Sequence, residues 1–440
     1  MNLIYGIKDK PKFAQLLLFA LQQVLAVLAA TIAVPAIVGN GMSASAALLG
    51  AGVGTLVYQL FTKFRSPVFL GSSFAFIGSM VAAFAGAASA AAGFAGLIIG
   101  AVFAGLVYVI IAIVVKLVGV KWINKLMPPV VIGPTVALIG LSLAGAAIKD
   151  VFSYGPQDAN GSFIMSGPAW ASLVCALVTL LVVIITSTYG KKMIKLVPFI
   201  IGILAGYIVA VIFTLCGIPV VDFSLFQNMQ IFAVPEFTFL TALKGVTEVN
   251  GSYLATVAVA YVPVAFVVFA EHIADHKNLS TIIDTDLLEN PGLHRTLLGD
   301  GVGSIAGAIF GGCPNTTYGE SVGCVAITRN ASVITITVAA LMCIIISFFG
   351  PFVAFLDSIP GCVMGGVCVT LYGFIAVSGL KMIQKVDLNQ NKNLFVVASI
   401  LIPGIGGMAM AIGKVTLTAI ACALILGIIV NVILSKAKED

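Results

Sequence analysis

Three carboxylates in this chain stand where a carboxylate is costly. Glu271 closes the apolar run 257–270 and opens the stretch Glu-His-Ile-Ala-Asp-His. Asp275 follows four residues later, which on a helix puts both side chains on one face. Glu320 ends Asn315-Thr316-Thr317-Tyr318-Gly319-Glu320, inside a short segment rich in Gly, Ser and Thr. Charge at bilayer depth costs roughly 3 kcal/mol or more, so such a group marks a solute or proton pathway by default. A carboxylate accepts hydrogen bonds from N–H donors and takes up or gives up a proton, which suits proton-coupled recognition of a polar solute. Asp300 reads as structural, pairing across helices, and His272 and His276 read as packing or interfacial residues. Asp284, Asp286, Glu289 and Arg295 read as part of a hydrophilic cytoplasmic loop.

Two segments must position these acids. Residues 67–85 and 316–328 are too short and too polar for ordinary spans. Non-helical backbone survives at membrane depth only where it is buried in protein or lines a cavity. Its unpaired N–H and C=O groups, and the N-terminus of a half-helix, can then bind a planar polar ligand. Ser72-Ser73-Phe74-Ala75 parallels Thr316-Thr317-Tyr318-Gly319, so Phe74 and Tyr318 stand at matching positions and offer flat apolar surface. Two carboxylates, facing backbone amides and aromatic walls suit a ring with alternating N–H and C=O groups. The residues define a small planar solute without naming it.

The rest of the chain is membrane material. Of its 440 residues 60% are hydrophobic and 9% charged, and the mean hydropathy is +1.15. Soluble domains carry about a quarter charged residues, so a soluble protein is excluded. About fourteen hydrophobic segments start near residues 14, 45, 67, 92, 126, 169, 195, 253, 295, 316, 331, 360, 393 and 415. The first follows Lys8, Lys10 and Lys12 but outruns a signal-peptide core, and reads as an uncleaved helix. Eight scattered cysteines form no CxxC or Cys/His cluster, so neither a metal site nor a disulfide framework is expected. With a cytoplasmic N-terminus, alternating spans leave only Lys149, Lys244 and Lys414 of the 22 lysines and arginines outside. Both termini are then cytoplasmic.

The two halves resemble each other. Leu49-Gly50-Ala51-Gly52-Val53-Gly54-Thr55 aligns with Leu298-Gly299-Asp300-Gly301-Val302-Gly303-Ser304, with Phe61 matching Phe310. Pro128, Val131 and Gly133 match Pro360, Val363 and Gly365. Seven segments per half is an odd number, so the halves are expected to be inverted, as in many secondary transporters.

At these residues the chain resembles the nucleobase–ascorbate (nucleobase:cation symporter-2) transporter family, and within it the bacterial uracil permease branch. The likeness covers nearly the whole chain. It is carried by Leu70-Gly71-Ser72-Ser73-Phe74-Ala75-Phe76-Ile77, by Ala270-Glu271-His272, by Asp286-Leu287-Leu288 with Pro291-Gly292-Leu293-His294-Arg295, and by Pro314 to Glu320, continued by Gly323, Thr328 and Arg329. The resemblance implies an all-α polytopic membrane protein of fourteen segments in two inverted repeats, with short mid-membrane strands in segments 3 and 10. It implies a core domain, 1–122 with 251–357, and a gate domain, 123–250 with 358–440. It further implies that Glu271 and Glu320 hydrogen-bond the base and that the backbone amides of Phe74 and Gly319 face its carbonyls. Ser73 and Tyr318 complete the site, and Glu271, Asp275 and Glu320 are the candidates for proton coupling. The partners implied are uracil or a related nucleobase, a co-transported proton and the plasma (inner) membrane. Neither a cofactor nor a metal nor a nucleic acid is implied, and the family admits a homodimer through the gate domain.

Three positions depart from the family pattern. Ser321 replaces an Asn of the signature, Gln23 replaces a histidine of the first segment, and Asp275 stands where some uracil permeases have histidine. The function expected is proton-coupled nucleobase uptake, most simply of uracil. The rivals are a xanthine, urate or other purine permease and, more remotely, an anion transporter of the same architecture. A channel or a membrane-embedded enzyme finds no supporting motif.

Overall fold

The computed structural model describes residues 3–119, 128–191, 194–227, 229–412 and 415–435. The domain boundary at 122/123, the expected start of segment 5 near 126, and Lys414 lie outside these residues. The first half runs α1 (Phe13–Val38), α2 (Ala44–Phe61), β1 (Leu70–Ser72), a 3-10 turn Phe74–Phe76 leading into α3 (Ile77–Ala85), and α4 (Ala90–Val118). It continues with α5 (Pro129–Ser142), α6 (Ala144–Val151), α7 (Gly167–Tyr189), α8 (Pro198–Leu215) and the short α9 (Thr238–Gly245). The second half runs α10 (Gly251–Ile283), α11 (Leu293–Gly311), β2 (Asn315–Thr317), α12 (Gly319–Thr328), α13 (Val333–Ser347) and α14 (Gly350–Asp357). It ends with α15 (Gly361–Ile383), α16 (Asn391–Ile405), β3 (Met410–Ile412), β4 (Val415–Leu417) and α17 (Ala419–Leu434).

Among the described residues, eight helices are long and apolar enough to cross a membrane: α1, α2, α4, α5 continued through α6, α7, α8, α10 and α15. The other expected segments run as shorter or less apolar helices. Strands consume the first residues of two segments, leaving α3 and α12 at nine and ten residues. Helices α13, α16 and α17 have 15, 15 and 16 residues. The length of α11 suffices, but Asp300, Arg295 and its glycines dilute its hydropathy. Nor is the chain purely helical outside segments 3 and 10, since β3 and β4 pair antiparallel just ahead of α17. Leucine and isoleucine side chains such as Ile110, Leu181 and Ile208 are exposed on the outer faces, as a lipid-facing surface requires. The protein is a multi-pass membrane protein.

The Gly-rich stretches flagged in sequence are helix contacts. Helices α2 and α11 pack along each other so closely that a Cβ on Gly50 would lie 2.5 Å from the Gly307 carbonyl oxygen. Small residues are what let two membrane helices approach to that distance. Pro128 and Pro360 occupy the same station, as N-caps of α5 and α15, which also pack along each other. Between these pairs β1 and β2 form a two-stranded antiparallel ribbon, with Leu70 opposite Thr317, Gly71 opposite Thr316 and Ser72 opposite Asn315. Side-chain bonds between the ribbon and α2 fix it. Asn315 Nδ2 donates to the Gly50 carbonyl at 2.8 Å, and Thr55 Oγ1 accepts from Leu70 N–H at 2.9 Å. Isolated two-stranded ribbons are marginal in water, and this one is held by buried helix contacts.

Candidate substrate-binding site

The antiparallel pairing decides the geometry of the site. Each strand runs straight into a helix, β1 into the turn at Phe74 and β2 into α12 at Gly319, so the two helices leave in opposite directions. Their N-terminal N–H groups have no intrahelical acceptor and face the same space. Two further bonds extend the ribbon, Ser73 N–H to the Pro314 carbonyl at 2.9 Å and Tyr318 N–H to the Phe69 carbonyl at 3.2 Å. Ser321 explains its own departure from the family pattern: its hydroxyl accepts from Phe69 N–H at 2.9 Å and so braces β1 against α12.

The ribbon ends open on a cavity of about 450 Å³. Ser73, Phe74, Glu271, Asp275, Tyr318, Gly319 and Glu320 all line it, so the structure brings every residue singled out for substrate or proton into one space. Glu271 and Asp275 reach it from the middle of α10, whose 33 residues carry both on one face. Asp275 is tethered there, because Thr317 Oγ1 donates to its Oδ2 at 3.0 Å. Tyr318 is pinned too: its hydroxyl donates to the Ser72 carbonyl at 2.5 Å, so it presents only its ring to the cavity. That ring lies over Gly71, where a Cβ would sit 2.4 Å from Tyr318 Cε2. The Ser73 side chain is buried, and its hydroxyl has no partner among the described residues. Phe74 meets Tyr372 edge to face, with ring centroids 6.2 Å apart.

The opposite wall is mostly apolar. Val136 and Ile139 of α5, Phe199 of α8, and Leu371, Phe374 and Met382 of α15 stand in it, beside Ile375 and Ser378 of α15. Sequence reasoning missed the apolar ones, because an apolar residue in an apolar helix carries no signal of what it faces. Gln23 lies elsewhere. It is buried, and its Nε2 reaches the Ser321 carbonyl at 3.4 Å, behind α12 rather than in the cavity.

Next to Glu271 on α10 begins a second polar cluster. His272 Nδ1 and Asp300 Oδ2 are 2.7 Å apart, a hydrogen bond wholly buried between α10 and α11. His272 Nε2 lies 3.0 Å from Thr296 Oγ1. His276 Nδ1 donates to the His272 carbonyl at 2.8 Å, and its Nε2 accepts from the Tyr58 hydroxyl at 2.7 Å. Asp300 thus pairs across helices as expected. The histidines do more than pack: they are hydrogen-bonded at both ring nitrogens.

This architecture occurs in solved transporters. The transmembrane domain of the cyanobacterial bicarbonate transporter BicA superposes with a TM-score of 0.66 at 17% identity, over 97% of this chain and 100% of that one. The murine anion transporter Slc26a9, in its inward-facing state, gives 0.67 at 13% identity over 97% of this chain and 69% of its own. At such identities the likeness establishes the fold alone. The Permease family model matches residues 14–413, and the chain belongs to that family. It is 39% identical to a uracil permease of Bacillus subtilis over 439 residues, covering 99% of this chain and 96% of the relative. It is 33% identical to a uracil permease of Escherichia coli over 433 residues, covering 96% and 92%. The chain is accordingly a permease and not an enzyme.

Proposed function

We propose that this permease takes up a nucleobase, uracil, together with a proton by alternating access. The observation that carries the assignment is the convergence of Glu271 and Glu320 with two opposed strand ends on one cavity. A uracil ring presents N–H and C=O groups in alternation. Glu271 and Glu320 accept from its N–H groups, the amides of Phe74 and Gly319 donate to its carbonyls, and Ser73 contributes its unpartnered hydroxyl. The Tyr318 and Phe74 rings cover its faces. Uracil permeases at 33–39% identity over nearly the full chain support the choice of base. A purine permease remains the nearest rival. An anion transporter calls for a cation at the site, whereas the charged residues lining the cavity are Glu271, Asp275 and Glu320.

Coupling follows from carboxyl chemistry. One carboxyl of the Glu271, Asp275 and Glu320 group holds a proton while the base is bound and gives it up when the base leaves inward. Asp275, held by Thr317 rather than free, tunes its neighbours or carries the proton itself. The fourteen segments form two inverted repeats, and the symmetric strand register and the matched caps Pro128 and Pro360 support that arrangement. The core comprises 1–122 and 251–357, the gate 123–250 and 358–440. The gate supplies the apolar wall from α5, α8 and α15, and its movement against the core opens the cavity to each side in turn. The protein sits in the plasma (inner) membrane with both termini cytoplasmic, and the gate offers a surface for a homodimer.

Equilibrium binding of labelled uracil to the purified chain tests the assignment. Saturable binding that unlabelled uracil displaces and xanthine does not is the expected result. Displacement by xanthine transfers the protein to the purine rivals.

A further inference from the structure

A second cavity lies where three helix ends meet. It is lined by Phe61 at the end of α2, Ile113 and Lys116 near the end of α4, and His294, Arg295 and Leu298 in the first turns of α11. Arg295 therefore does not belong to a hydrophilic loop, as its sequence context suggested; it stands in a helix among apolar neighbours. Arg295 is partly buried, and its guanidinium makes a long hydrogen bond, Nη1 donating to the Phe61 carbonyl at 3.5 Å. Among the described residues neither Lys116 nor Arg295 forms an ion pair, and no carboxylate lines the cavity. Cations at the rim of an apolar span are normally paired or solvated by headgroups.

From this cavity an apolar track leads along α4. Leu117, Ile113, Ile110 and Leu106 follow one another at spacings of four, three and four residues, which is one helix face. All four are strongly exposed, by 77%, 51%, 60% and 49%. A cationic pocket at the head of an exposed apolar stripe matches one molecule in both parts. We infer that this cavity binds an anionic phospholipid, its phosphate between Lys116, His294 and Arg295 and an acyl chain along α4. Basic pockets between helices on the cytoplasmic side are a recognised place for such headgroups, and the lysine and arginine distribution assigns this end to that side. The lipid joins α2, α4 and α11 at their ends. The inference does not depend on which base the permease carries.

The test is native mass spectrometry of the full chain released from mixed phosphatidylglycerol and phosphatidylcholine vesicles with matched acyl chains. The wild type should retain phosphatidylglycerol in preference. In the double variant Lys116→Gln/Arg295→Gln its retention should fall by roughly 30-fold, each basic residue near a headgroup contributing about fivefold. Lys149→Gln/Lys244→Gln removes two charges elsewhere and should leave retention unchanged. Lys116→Glu alters only an exposed residue and reports on the same pocket if the arginine variant fails to fold; it should also lose the lipid. Equal retention of both lipids by the wild type overturns the inference, as does equal loss in the two double variants.

Discussion

Gly71→Ala asks more of the site than its single methyl suggests. The new Cβ would lie 2.4 Å from Tyr318 Cε2, 2.5 Å from Cζ and 3.0 Å from Thr31 Oγ1. Ordinary carbon contacts begin near 3.5 Å, so the ring must retreat by roughly 1 Å. It cannot do so freely, because its hydroxyl is tied to the Ser72 carbonyl on the same ribbon. The ring moves toward the cavity or the ribbon bends, and overpacking of this kind costs about 1–3 kcal/mol. If that cost falls on the bound state, uracil affinity drops by about five- to 150-fold. Leucine at position 318 lacks the ring atoms that the methyl meets. Gly71→Ala/Tyr318→Leu should therefore be less impaired in thermal midpoint than the two single losses added together, a coupling that a double-mutant cycle measures directly. The assay is equilibrium uracil binding alongside thermal unfolding of the purified protein in detergent. Wild-type affinity and midpoint in Gly71→Ala, or strict additivity in the cycle, refutes the packing of Tyr318 on Gly71.

Other substitutions probe separate parts of the site. Glu271→Gln replaces a two-oxygen acceptor with a mixed amide and should weaken uracil binding roughly tenfold or more, since a hydrogen bond to a charged group contributes about 1.5–3 kcal/mol. Normal transport by that variant places the site elsewhere. Phe74→Ala removes an aromatic contact of about 0.5–1.5 kcal/mol and should weaken binding less than Glu320→Ala does. Wild-type binding by both contradicts the assignment. Asp300→Leu leaves His272 Nδ1 without its buried partner and should destabilise the protein by about 1–3 kcal/mol, read as a fall in thermal midpoint. The pair Asp300→Leu/His272→Leu should be more stable than Asp300→Leu alone, and a lower midpoint in the pair denies that the lost hydrogen bond is the cause.

The acidic site was legible in the sequence for a physical reason. Charge is so costly in an apolar segment that Glu271, Asp275 and Glu320 stand out against their surroundings, and the four-residue spacing of the first two sets their common face. The Gly-rich matches around Gly50 and Gly303 read only as a repeat, and the structure adds that these glycines let α2 and α11 touch. What could not be read was anything depending on which way an apolar residue faces. Phe199 and Phe374 look like any lipid-facing phenylalanine until α8 and α15 are placed opposite the ribbon. Hydropathy scores apolar content and does not show the residue at which a strand gives way to a helix, as at Leu70–Ser72. Arg295 was misplaced for a related reason: charge next to Pro291 and Gly292 reads as loop, while α11 begins at Leu293. Ser321 seemed only a departure from a pattern until its hydroxyl was seen to hold Phe69.

The central claim is most directly tested by uptake of labelled uracil in cells lacking their own carriers, at mildly acid and mildly alkaline pH, with a proton uncoupler and with excess xanthine. We expect saturable uptake that is faster at acid pH, collapses with the uncoupler and is indifferent to xanthine. Uptake that is absent, or that persists unchanged when the proton gradient is removed, would contradict proton-coupled uracil transport through this cavity.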